Sequence, residues 1–107
     1  MLDTTELTDA AERFADRLRA APQSRLQKGA AAEALALARE LSTRAQCIED
    51  PGREPRIMPD AGVFAVADQV LVAANDLAEV LRSVPAASHM VDEAVTLVKA
   101  TARRSGL

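Results

Sequence analysis

The chain has 107 residues and a net charge of −3, and it is 49% hydrophobic although Phe14 and Phe64 are its only aromatic residues. The single Cys47 excludes an internal disulfide, the acidic balance argues against a protein built to grip a phosphate backbone, and no apolar run approaches the roughly 20 residues that cross a bilayer. Alanine supplies 23 positions; it is the best helix former but buries little area, so closely packed helices are expected and a β-sheet is not.

Five prolines, at positions 22, 51, 55, 59 and 85, divide the chain into four stretches without breaking any periodic run. Proline inside a helix costs about 3 kcal/mol, so the stretches read as four helices. In the first, about 4–21, Leu7, Ala11, Phe14, Leu18 and Ala21 form one stripe. Asp3 or Thr5 is placed to cap it, and Arg17 and Arg19 suit its C-terminal dipole. The second, about 24–48, opens with the capping-box spacing of Ser24 and Gln27. Its stripe is Leu26, Ala30, Ala34, Leu37, Leu41, Ala45 and Ile48. Gly29 interrupts it and marks either a close helix crossing or an irregular turn.

The third helix, about 61–84, is the most apolar. Val63, Ala67, Val70, Ala74, Leu77, Leu81 and Val84 make its main stripe, with Phe64, Leu71 and Ala78 beside it. Asp60 is positioned to cap it. The fourth, about 86–104, has Val91, Val95, Val98 and Ala102 in one row and Met90, Ala94, Leu97 and Thr101 in another. Short corners at 22–23 and 85–87 and a longer loop at 49–60 then give a single domain: an antiparallel up-down-up-down four-helix bundle of two helical hairpins.

The loop, IEDPGREPRIMPDAG with its flanks, begins with the turn signal Asp50-Pro51-Gly52 and is accounted for by stopping one helix and starting the next. Its Asp-Pro-Gly-Arg-Glu run resembles the loop of the all-helical chorismate mutases. That resemblance implies a dicarboxylate held by cations from the preceding helix. The matching positions here are Leu41 and Ala30, both in the apolar stripe, so the interior has nothing to hold carboxylates and the assignment is set aside. Helical-hairpin proteins of the WXG type are similar in length, but they turn on Trp-x-Gly, and this corner reads APQS.

Other chemistry is equally sparse. A metal centre in a bundle needs several inward Glu and His ligands, and the only histidine, His89, sits near a helix start with Glu93 one turn on. No serine lies in a nucleophile motif, and four isolated glycines cannot cradle a phosphate. Cys47 is expected to be a small, buried, inert thiol. No catalytic residue, cofactor or metal is therefore assigned, and the chain is not expected to be an enzyme.

Two surfaces remain. Arg13, Arg17, Arg19, Arg25 and Lys28 form a basic cluster, diluted by Asp16, that could dock an anion or an acidic partner; without interleaved aromatics it does not suit nucleic acid. On the third helix Asp68, Val72, Asn75, Glu79 and Arg82 form an outward stripe in which Val72 stands alone among polar neighbours. The expectation is a cytoplasmic protein, with no signal-peptide core at its acidic N-terminus, that presents this rigid face to another protein or to a second copy of itself, as a dimer. The alternatives are a small-molecule or anion sensor gated by the 49–60 loop with Arg53 or Arg56 reaching inward, and a nucleic-acid accessory protein using the basic cluster.

Overall fold

The computed structural model describes residues 2–107, and every regular element in it is helical. The elements are α1 (Thr5–Ala20), a short leading turn α2 (Gln23–Arg25), a π-turn (Leu26–Ala30), α3 (Ala31–Glu49), α4 (Val66–Arg82) and α5 (Ser88–Ser105). The four long helices build a slender bundle of 42 × 27 × 17 Å.

The apolar stripes bury as their spacing requires. Leu7, Ala11, Phe14 and Leu18 of α1, Leu37 and Leu41 of α3, Val70, Leu77 and Leu81 of α4, and Val91, Val95 and Val98 of α5 all lie in the core. Buried alanines between them, such as Ala34, Ala38, Ala74 and Ala78, let the helix axes approach closely. Thr101, the one buried polar residue of α5, returns its hydroxyl to the Leu97 carbonyl at 2.8 Å and also accepts from Arg104 at 3.1 Å.

The helix pairing differs from two hairpins. α1 packs on α4 and α5, and α3 packs on the same two helices, so α1 and α3 stand at opposite corners, as do α4 and α5. Side-chain bonds fix the directions. Arg19 at the end of α1 meets Asp68 at the start of α4, and Arg82 at the end of α4 meets Thr4 just before α1, so these two are antiparallel. Arg104 late in α5 meets Glu33 early in α3, which makes that pair antiparallel too. But the starts of α3 and α4 share one groove, lined by Leu35 and Val66. Their ends share another, lined by Ala45 and Val84. Those two helices run parallel, and the bundle is up-down-down-up.

The 50–65 segment makes this order possible. After the Asp50 turn, where the Arg53 N–H bonds the Asp50 carbonyl at 3.2 Å, the chain runs back beside α3. Gln46 clamps the Arg56 peptide with both halves of its amide, each bond 2.9 Å. Arg39 holds the Met58 carbonyl at 2.8 Å, and Gln69 of α4 holds that of Pro59 at 2.8 Å. Three prolines keep the segment out of helix, and extended chain advances about 3.3 Å per residue, more than twice the rise of the 19-residue helix it retraces.

Several helix ends depart from their expected caps. Pro22 rather than Ser24 precedes the second helical stretch; its carbonyl accepts from Arg25 and Leu26, and no capping box forms. Gly29 adopts φ 143°, ψ −23° inside a π-turn, and the Ala31 N–H bonds the Leu26 carbonyl. A Cβ there would meet nothing within 4 Å, so this glycine marks an irregular backbone and not a close crossing. Asp60 bonds the Gly62 N–H at 2.9 Å, Gly62 turns to φ 96°, and α4 starts only at Val66. Ala86 at φ 56° delays α5 until Ser88.

Candidate interaction surface

The outward stripe of α4 has the same four-three spacing as its buried stripe, on the opposite side. Asp68, Val72, Asn75, Glu79 and Arg82 are all exposed. Its two ends are tied to α1. Arg19 bridges Asp68 at 2.7 Å and Asp16 at 3.5 Å, and Arg82 Nε donates to the hydroxyl of buried Thr4 at 3.1 Å. Exposed pairs of this kind are worth about 0–1 kcal/mol each. They connect both ends of the stripe to α1.

Two large apolar residues join Val72 outside the core. Val72 is 55% exposed, Phe64 78% and Ile57 65%. The sequence periodicity assigns Phe64 to the apolar arc of a helix starting near residue 61. The Asp60–Gly62 turn postpones that helix and leaves the ring on the surface. Ile57 is exposed on the extended loop, whereas its neighbour Met58 packs against the core. Neither residue stands out as a surface group in the linear pattern; the paired signals were Gly62 and the run of prolines before it.

Beside the α4 stripe lies an open groove of about 620 Å3 between the ends of α3 and α4. Ala45, Ile48, Val80 and Val84 form its floor; Ser42, Gln46 and Ser83 add polar edges. Its charged rim is Glu49, Asp76 and Glu79, and no cation among the described residues lines it. The first half of the same α3–α4 furrow is covered by the returning loop. The expected gating role for Arg53 and Arg56 is not met, since both side chains are exposed; the half-buried cation on this side is Arg39, which holds the Met58 carbonyl.

The basic cluster is divided among separate tasks. Arg19 is bridged to acids, and Arg25 donates to the Gly106 carbonyl at the end of α5. Arg13 and Arg17, four residues apart, share an exposed face of α1, while Lys28 lies on the π-turn. Around Lys28 is a second groove of about 460 Å3 that also contains Arg25 and Arg104, but Arg104 is engaged by Glu33 at 3.2 Å. Cys47 is exposed, contrary to the expectation of a buried thiol. It falls on the α3 face of Ala36 and Glu40, outside the stripe, at the edge of an apolar recess with Leu77, Leu81 and Met90. His89 is exposed.

Among the described residues no group of three or more His, Cys, Asp or Glu is placed to hold a metal, and no helix is long and apolar enough to cross a membrane. Comparison with family models, curated proteins and solved structures finds no match to this chain.

Proposed function

We propose that this protein acts by association, presenting the outer face of α4 and the preceding loop to a protein partner, with a second copy of the chain as that partner. One observation carries the reading. Of two phenylalanines, Phe14 is 1% exposed in the core, whereas Phe64 is 78% exposed, as are Val72 at 55% and Ile57 at 65%. Leaving such a side chain in water forgoes roughly 1.5–3 kcal/mol of burial, which docking against a partner would recover. The rigid α4 scaffold, tied to α1 at both ends, favours surface recognition over chemistry, and the reading is of a binding protein, not an enzyme.

Light scattering after size exclusion at high micromolar concentration tests it. The expected mass is twice the 11.4 kDa of one chain, and Val72→Glu should return it to a single chain while leaving the helical circular dichroism intact. A wild-type mass of one chain at that concentration would refute self-association.

A further inference from the structure

The acidic half of the α3–α4 furrow has no ion-pair complement among the described residues. Glu49, Asp76 and Glu79 line it, and none of them makes an ion pair among the described residues. The helix directions add to this charge. Because α3 and α4 run parallel, both C-terminal ends, each carrying a partial negative charge, reach the same end of the bundle. The last turn of α3 contains no basic residue, and the one in α4, Arg82, is turned to Thr4.

The chemistry that would satisfy this groove stands next to it. Arg53 and Arg56 are exposed on the 50–65 loop and likewise form no ion pair among the described residues. Ile57 follows Arg56 directly and is exposed. Cation then aliphatic on the loop matches carboxylate rim over aliphatic floor in the groove. Gln46 locks the two together: it lines the groove and clamps the Arg56 peptide. Acceptor and donor therefore occupy adjacent positions on one face. That is the arrangement a two-fold axis needs to exchange them reciprocally between identical chains.

We infer that in the dimer proposed above, on which this step rests, Arg53 and Arg56 of each copy enter the Glu49–Asp76–Glu79 groove of the other, with Ile57 against Val80 and Val84. Asp50, Glu54 and Asp60 are the loop's other charges, so recognition belongs to the two arginines and not to the loop's net charge. A bundle with extents of 42 × 27 × 17 Å is large enough for the roughly 800 Å2 per partner of a stable interface.

A charge swap tests the pairing. One variant carries Arg53→Glu with Arg56→Glu, the other Asp76→Lys with Glu79→Lys, all at exposed positions. With native circular dichroism retained, each alone should dimerise at least about tenfold more weakly than wild type, and an equimolar mixture should recover the doubled mass. Wild-type dimerisation should also weaken as salt rises. If the variants dimerise as wild type does, or the mixture does not recover, the groove pairing is overturned. In that case a dimer still broken by Val72→Glu would leave the α4-face reading standing, whereas a monomeric wild type would remove both.

Discussion

Replacing Gly29 with alanine isolates the backbone geometry of the kink between α1 and α3. The new Cβ has open space, with nothing within 4 Å, so a steric clash with the fold contributes nothing. The cost comes from φ 143°, a region that residues with a Cβ avoid, at about 1–3 kcal/mol for a residue held there. Alanine would return as much as about 1 kcal/mol through helix propensity if the turn could straighten. Straightening is opposed by what the kink positions: Leu26, buried in the core, and Arg25, bonded to the Gly106 carbonyl. A net loss near 1–2 kcal/mol follows, which for a domain of this size lowers the melting temperature by about 4–8 °C per kcal/mol. Thermal unfolding followed by circular dichroism reads it. Gly52→Ala is the control; Gly52 also has an open Cβ position and no positive φ, so it should be neutral or stabilising by up to about 1 kcal/mol. A Gly29→Ala protein as stable as wild type, or more so, would mean that the helix runs regularly through residue 29.

Two further backbone and cap features give sharp outcomes. The hydrogen bond from the Thr5 N–H holds the Asp3 carboxyl below its ordinary value of 3.8. The N-cap of α1 is Thr4 and not the expected Asp3 or Thr5. A depressed folded-state value nevertheless means that the Asp3 bond to Thr5 stabilises the start of α1 above the unfolded value and is lost as pH falls through the folded one. Asp3→Ala should therefore lower the melting temperature at neutral pH, with the gap to wild type closing below 3.8; a gap independent of pH would refute it. Ala86 sits at φ 56°, which costs a non-glycine residue roughly 1–2 kcal/mol, so Ala86→Gly should raise stability by up to about 1 kcal/mol after glycine's own entropic penalty. A fall in denaturant midpoint would contradict that.

The parts of the fold that rest on periodicity were readable from the sequence. Leu7 to Leu18, Leu26 to Ala45, Ala67 to Leu81 and Val91 to Ala102 lie inside because spacings of three and four leave an amphipathic helix no other way to bury its stripe. Helix direction was not readable in that way, since one stripe packs equally well against a parallel or an antiparallel neighbour. The bonds that set it, from Gln46, Arg39 and Gln69 to loop backbone, have no spacing signature. Phe64 shows the limit of the pattern itself: its position continues the period, yet an Asp60–Gly62 turn delays the helix until Val66, just past it. Cys47 was misjudged by reading a residue-type tendency where the helical face decides. The exposed stripe from Asp68 to Arg82 was legible; the groove beside it required knowing that α3 and α4 end together.

That groove is a consequence of topology. Parallel neighbours cannot be joined by a tight turn, so the chain must return the length of α3 before α4 begins. It does so in the furrow between the two helices, and from Arg56 onward its backbone is bonded to Gln46, Arg39 and Gln69. The residues before Arg56 are taken up by the Asp50 turn, which leaves the end half of the furrow uncovered. Ile48, Val80 and Val84 stay half-buried there under a rim of carboxylates. An antiparallel hairpin of the same two helices would have needed no such return, would have paired opposite dipole ends, and would have left no negatively charged groove beside the exposed Arg53 and Arg56.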